Sequence, residues 1–525
     1  MEKKDYIIGI DIGSSNVVMA VGERNSNGEI SILGVDVQKV NGCVVDGDIT
    51  NFLELGTAIK AGKSELEKDL GITIHSAYVG FSGRSVYCVR YEDYVEVKET
   101  VVESDVRELH NRIQMAQPAG GDDILERILL RYNIDDRQET KNPIGAFGRK
   151  LSATYLLVLA SKHQIDRVDR AMHYAEIKVC GMCVNPTLVP QVLLNDVERE
   201  EGVAIVDIGS DLTDISIVRG GKLWHFASMP IGASTINNDL YEFLKIPRND
   251  IEMLKRKYGN ALADSVEEDK SVPVRIAGRA KKQILLRNIA EITEERLKDI
   301  ANFVLREIKS AKFYTKIPCG VVITGGCAYL ENCDKLFARE MQMEVRVGKM
   351  LNGIDDESQQ KVTANLQATA VGLLLYGAKH KACDVLVNNL AGQTTVTPVP
   401  PVPPTPPVPP VFEDSNKTTA ETIFAPKVNE VTTQTTPGVQ VTEEKPVEVV
   451  ETEVVVEQET TPIEQQDVNN DVNLGGQHDE EDKQKNETTT IPEEEINKES
   501  TKSRRGFIKS IREWLDGVFE GDDEL

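Results

Sequence analysis

The sequence predicts an α/β body followed by a long tail with no core of its own, and three observations carry that expectation. From Asp5 to about Gly377, β-rich runs alternate with charged helical stretches and glycine-marked turns. One strand–turn–strand motif occurs twice in this body. Beyond it the chain turns to proline, threonine, glutamate, valine and glutamine, and an apolar pattern returns only at the C-terminus. A chain of 525 residues exceeds what one hydrophobic core serves, so two or more domains are expected.

The N-terminal run MEKKDYIIGIDIG passes from a short charged lead straight into a strand, with no signal-peptide pattern, which predicts a cytosolic protein. No apolar run approaches the ~18–20 residues needed to span a bilayer, so membrane contact is expected to be peripheral. The net charge of −25 excludes a general nucleic-acid binder, which needs a basic footprint to displace counterions. That charge is concentrated between Asp384 and Ser500, where 24 acidic residues face 6 basic ones, leaving the body mildly acidic. Eight cysteines in a chain of this length point to reduced thiols rather than a disulfide framework. Cys180-Gly-Met-Cys183 has the spacing of a redox couple or half a zinc site, but no second pair follows, so small buried thiols are expected there and at Cys327 and Cys333.

The repeated motif is Ile8-Gly-Ile-Asp11-Ile-Gly13-Ser14-Ser15-Asn16, echoed by Ala204-Ile-Val-Asp207-Ile-Gly209-Ser210-Asp211-Leu-Thr213. An apolar strand entering an Asp-Ile-Gly turn and a second strand forms a hairpin whose turn can bring backbone N–H groups to phosphate oxygens, with Ser14, Ser15 and Thr213 as further donors. One such turn is as readily an ordinary hairpin. Two, nearly 200 residues apart, would face each other as a clamp. Asp11 and Asp207 would then hold a hydrated Mg²⁺, which keeps several waters and takes few carboxylates besides the nucleotide's phosphates. A third element, Gly320-Val-Val-Ile-Thr324-Gly325-Gly326, is a buried strand ending in glycines that let a base or phosphate approach the backbone, leading into a helix expected over Leu330 to Arg339; an ordinary βα turn has the same pattern.

After the body, Pro398–Pro410 reads as a stiff polyproline segment, and the tract to about Ser500 has too few bulky apolar residues for a core. A coil of ~120 residues has a root-mean-square span of roughly 60 Å, a loose tether. At its end Phe507, Ile508, Ile511, Trp514, Leu515, Val518 and Phe519 share one face at the helical period, and Arg504, Arg505, Lys509 and Arg512 supply cations for anionic headgroups. With no core nearby to pack on, this is expected to be a membrane foot; a helix docking in a partner's groove has the same pattern.

The two phosphate turns and the Thr-Gly-Gly strand resemble the actin and Hsp70 nucleotide-binding superfamily. Asn142-Pro-Ile-Gly145, Leu151 to Val158, Gly202 to Asp207, Lys255-Arg-Lys-Tyr-Gly259, Ala370 to Gly377 and the amphipathic terminus narrow the resemblance to the FtsA family of bacterial cell-division proteins, over residues 5–380 and the terminal segment. The resemblance implies an actin-like fold of two lobes closing on ATP and Mg²⁺. The first lobe is expected over 1–82, an inserted α+β subdomain over 83–162, and the second lobe over 163–380 with an outer part at about 237–344. A disordered linker is expected over 381–500 and the amphipathic helix with its acidic end over 501–525.

The family likeness further implies self-association into actin-like filaments, at most weak ATPase activity, and attachment of the FtsZ ring to the inner face of the membrane at the division septum. It also implies recruitment of later septal division proteins through the insert. By position, Asp11, Gly13, Ser14 and Ser15 match the first phosphate loop, Asp207 and Gly209 with Ser210 the second, and Gly325 and Gly326 the adenosine motif. Lys255 and Glu294 match positions facing the ribose and base. Ser210 and Asp211 stand where the family has glycines, and Asp211 sets a negative charge where a γ-phosphate would lie. Gln191 falls where the actin fold positions its attacking water, on the short Val192-Leu193 match. Lys281, Lys282, Arg287 and Arg296 are candidate anchors for the acidic C-terminal peptide of FtsZ; a solvated helix face has the same charges. The competing readings are a chaperone, a small-molecule kinase, a shape-determining scaffold or a pilus-assembly ATPase on the same fold, and a kinase needs a substrate-side carboxylate base for which no clear motif occurs. A chaperone needs a peptide-binding domain after the lobes, and the scaffolds lack this combination of insert, linker and foot.

Overall fold

The computed structural model describes residues 5–40, 42–275 and 281–387. The linker expected from residue 381 begins later, because Val385–Val387 pairs antiparallel with Ile72–Ile74 and Cys383 N–H donates to Tyr6 O; the rest of the linker and the amphipathic foot, residues 388–525, lie outside the described residues.

Two five-stranded sheets share one topology. In the first, Ile30–Lys39, Asn16–Arg24 and Tyr6–Ile12 run as an antiparallel meander, and Ser76–Phe81 and Lys178–Val184 continue it in parallel. In the second, Lys222–Met229, Thr213–Arg219 and Val203–Ile208 form the meander, and Val321–Thr324 and Val345–Val347 the parallel extension. Ile7, Ile8, Ile10 and Ile12 are all buried, as are Val203 to Val206 and Ile208, which is why these strands read as continuous apolar runs rather than alternating ones.

Helices cover the sheets. Phe52–Leu70 begins where the Asn51 side chain accepts hydrogen bonds from Leu53 and Glu54 N–H, and ends at Gly71 in the left-handed conformation. Its buried face carries Leu55, Ile59 and Leu66. Leu286–Ser310 buries Ile289, Ile292, Leu297, Ile300, Val304 and Ile308 in the second lobe, together with Ala233–Leu244 and Arg248–Tyr258. The second sheet also leads, after Thr324, into a 3₁₀ turn over Gly326–Tyr329, so the helix expected from Leu330 starts at Cys333 and runs to Met341.

Between the first sheet's strands lies a separate layer. Val86–Glu96, Asp122–Ile134, Gln138–Thr140 and Lys150–Ser161 make a four-stranded antiparallel sheet, on which Glu103–Gln114 lays Leu109 and Ile113 against Val95, Tyr132, Leu151 and Tyr155.

Chain pairing departs from the lobe limits read from sequence. Lys178–Val184, expected at the start of the second lobe, pairs with Ser76–Phe81 in the first sheet, and the helix Ala364–Ala378 packs on the same sheet, with Gly377 against Ile7 and Tyr78. The Cys180 position is a register shift in that strand; Cys180 is exposed while Cys183 is buried, so only one of the two thiols is the buried group expected.

The chain therefore passes between the sheets twice. It crosses once through Asn185–Leu193 and again through the segment after Val345–Val347. The two crossings are bonded to each other: Leu351 N–H donates to Val192 O at 3.1 Å, and Asn352 Nδ2 to Leu194 O at 2.6 Å.

Candidate functional site

The two hairpins that open the sheets make the same turn. Gly13 N–H donates to Asn16 O at 3.0 Å in one, and Gly209 N–H to Leu212 O at 2.9 Å in the other. Equivalent registers follow: Asp11 lies opposite Val18 and beside Gly80, and Asp207 opposite Asp214 and beside Thr324. The structure thus brings both predicted aspartates, both phosphate turns and the Thr-Gly-Gly strand to one cleft.

Three carboxylates meet there, one more than the motifs foretold. Burial pushes the Asp207 carboxyl up to about 8, with Asp214 and Asp11 adding to the rise. Burial pushes Asp11 up to about 7, opposed by a hydrogen bond from Asn185 and helped by Asp214. Asp214 is raised to about 6 by burial, restrained by bonds from Ser228 and Ser82, whose Oγ donates at 2.8 Å. A cation beside these groups would favour their charged forms.

Asn185, at the end of Lys178–Val184, donates from Nδ2 to Asp11 Oδ1 at 3.1 Å, while its own Oδ1 is buried and has no partner. A water on a hydrated cation held by Asp11 and Asp207 would donate to that oxygen. The second turn also closes on a helix: Ala233 and Ser234, the first residues of Ala233–Leu244, donate to Gly209 O and Ser210 O at 2.9 and 2.8 Å. The positive end of that helix therefore backs the phosphate turn.

On the nucleoside side, Gly325 has φ 84°, and a Cβ there would run into Asp207 Oδ1 and Ile208 O, so only glycine fits. A Cβ on Gly326 would meet nothing within 4 Å, which leaves an open backbone surface suited to a flat ring. Lys255 is buried near Ala233 O and paired with Glu252 at 2.8 Å. Cys327 is buried and its thiol is pushed up to about 12 by that burial. The donor set fits a Mg-nucleotide: two carboxylates, an unpartnered amide oxygen, backed turns and an open glycine face.

Several expected residues lie elsewhere. Gln191 is six positions along the helix from Asn185, about 9 Å by helical rise; its side chain is held by Lys379 at 3.0 Å and Thr187 O at 3.1 Å. Asn185, rather than Gln191, is the amide that touches Asp11. Both Glu294 oxygens are engaged, one by Ala263 N–H at 2.7 Å and the other by Arg339 and Lys298, so this carboxylate braces the outer lobe rather than presenting a free edge. In the cationic patch, Arg296 is 4 % exposed and ion-paired to Asp239 and Asp299, so it cannot anchor a docking peptide. Arg287 is met by Asp264, Glu268 and Glu291, and the Lys282 ammonium donates to Leu244 O; Lys281 is exposed.

Asn185, Asp214, Ser82 and Gly232 were not singled out by sequence. Asp214 carried a signal, a charged residue where the first hairpin has Val18; Asn185 carried none, because its partner lies 174 residues away. A Cβ on Gly232 would collide with Ser210 O, which explains the glycine before the helix.

Comparison with known proteins decides the family. The model of cell division protein FtsA matches residues 204–372, and that of the SHS2 domain inserted in FtsA matches residues 83–159. The chain belongs to the FtsA family. Cell division protein FtsA of Pseudomonas aeruginosa is 27% identical over 397 residues, 74% of this chain and 93% of that one. FtsA of Bacillus subtilis is 28% identical over 352 residues, 66% of this chain and 79% of that one. A chain of a PilM–PilN type IV pilus biogenesis complex is 14% identical over 71% of this chain and 98% of its own, with a TM-score of 0.50, a likeness of fold alone. The FtsA-family body is thus an actin-like fold, and the four-stranded layer is its inserted domain.

Proposed function

We propose that this FtsA-family chain binds Mg-ATP in the cleft, assembles into actin-like filaments on the inner membrane face at the division septum, and holds the FtsZ ring there while recruiting later septal proteins. The convergence of Asp11, Asp207 and the unpartnered Asn185 oxygen between two like turns is the observation that carries the nucleotide part. Bound Mg-ATP would supply a cation for the three carboxylates. Asp11 and Asp207 would hold the cation as carboxylates, giving up their protons to solvent, and Asn185 would orient its water shell. The chain also presents backbone N–H groups beside the N-terminus of Ala233–Leu244.

The membrane part rests on the apolar face of Phe507, Ile508, Ile511, Trp514, Leu515, Val518 and Phe519. Among the described residues, no helix is long and apolar enough to cross a membrane. A single amphipathic helix binds reversibly, so a filament with many feet would gain by effective concentration what a monomer lacks. Liposome co-sedimentation of the full chain, against a variant ending at Lys502, with and without Mg-ATP and FtsZ, tests this reading. Pelleting of the full chain alone, with FtsZ carried down, supports it. Equal pelleting of both, or of neither, turns the terminal helix into a protein-docking segment.

A further inference from the structure

The second phosphate turn places Asp211 where the family likeness sets glycine, next to the position of a terminal phosphate. The structure shows what stands across from it. The segment 42–49 lies between the two phosphate turns: Val40 N–H, just before it, donates to Ser15 O at 2.9 Å, and Gly47 is pressed onto Ser82 O and Leu212. A Cβ on Gly47 would stand 2.8 Å from Leu212 Cδ1, and its φ of 80° admits only glycine without strain. Asp46, one residue earlier, is itself left-handed at φ 49°, and Arg84 Nη1 lies 3.8 Å from Asp46 Oδ2. Asp46 and Asp211 adjoin that Gly47–Leu212 contact, each one residue before it, and burial, then the neighbouring Asp211, hold the Asp46 carboxyl above its usual range. Asp48, on the same segment, is engaged by Ser85 Oγ at 2.9 Å.

We propose that Arg84 is the cation that meets the terminal phosphate of a nucleoside triphosphate in this cleft, leaving Asp46 to do so. The inference rests on the nucleotide reading above. The Arg84–Asp46 pair is 55% and 39% exposed and long for an ion pair, so breaking it costs little. A terminal phosphate offers more charge and a geometry that a guanidinium can meet with two parallel bonds. Asp211 repels that same phosphate, so a triphosphate is held only when the Arg84 charge offsets it. A diphosphate lacks the terminal group and would gain nothing from Arg84. Arg84 thereby sets the preference for triphosphate over diphosphate.

The test is equilibrium binding of Mg-ADP and of a non-hydrolysable Mg-ATP analogue to the full chain, by calorimetry, for the natural protein, Arg84→Gln, Arg84→Lys and Asp46→Asn. Arg84→Gln is expected to weaken the triphosphate about 10-fold and the diphosphate less than about 3-fold, the loss of one charge-assisted contact. Arg84→Lys should restore part of that loss. Asp46→Asn should tighten the triphosphate several-fold, because Arg84 is no longer held and one negative charge is gone. Equal weakening of both nucleotides by Arg84→Gln, or no weakening of either, overturns the assignment while leaving the nucleotide site standing. Failure of the natural protein to bind either nucleotide overturns the site itself and the assignment with it. Arg84 is exposed, so an unchanged melting temperature of Arg84→Gln is the check on folding.

Discussion

His225 Nε2 lies 2.7 Å from Glu307 Oε1, joining the edge strand of the second sheet to the helix Leu286–Ser310, while its Nδ1 is 3.8 Å from Cys88 of the inserted domain. Burial alone would lower the imidazole pKa, but the Cys88 and Glu307 bonds outweigh it and raise it from 6.5 to about 9. A raised histidine contributes stability that is fully present below about pH 6.5 and lost as pH climbs through about 9. Glu307→Gln should therefore cost about 1–2 kcal/mol near pH 6.5, after discounting for partial solvation, and little above pH 9. Melting temperatures of both proteins across that range check this; parallel curves would show the pair to be inert.

The cleft carboxylates have the same sign for a different reason. Asp11 at about 7, Asp207 at about 8 and Asp214 at about 6 favour the protonated form in the fold, so their contribution is present below about pH 4 and lost as pH rises through 6 to 8. Asp207→Asn is expected to raise the melting temperature of the nucleotide-free protein at pH 8 and to do little at pH 5. The same substitution should weaken Mg-nucleotide binding at least about 10-fold, since the cation loses a ligand. Stabilisation of equal size at both pH values would contradict the titration.

Asn185 and Gln191 separate by substitution. Asn185→Ala removes the amide that touches Asp11 and should weaken Mg-nucleotide affinity about 10-fold, with stability unchanged within about 1 kcal/mol because a buried unpaired oxygen leaves with it. Gln191→Ala should leave affinity as it is, its side chain being tied to Lys379 and Thr187. Fluorescent-nucleotide titration of both variants decides which residue serves the cleft.

Trp514→Glu sets a charge at the centre of the terminal apolar face and is expected to release the full chain from anionic liposomes without lowering its melting temperature. Persistent binding of that variant would remove the foot from the proposal.

The parts of the site that sequence made legible are those with local grammar. Each Asp-Ile-Gly turn is specified within a few residues, and the Thr-Gly-Gly strand announces a close approach; at Gly325 the atoms that come close are this chain's own Asp207 Oδ1 and Ile208 O. Contacts made across the fold left no such trace, as with Asn185 on Asp11 or Lys178–Val184 on Ser76–Phe81. Arg296 is a different case, because its burial was written in the periodicity: Ile289, Thr293, Arg296 and Ile300 fall on one stripe of their helix, and all are buried. Its charge drew attention to the surface, whereas Asp239 and Asp299 allow it to sit inside.

The paired crossings between the sheets carry a mechanical consequence. Because Leu351 is bonded to Val192 and Asn352 to Leu194, the two passages form one spine along a single edge, stiffened where Gly372 lets its helix sit directly against Leu188. Ser82 Oγ also donates to Asp214 and Cys88 Sγ to Phe226 O, so the two sheets are clasped beside the carboxylates as well as along the spine, like a book held shut by a strap.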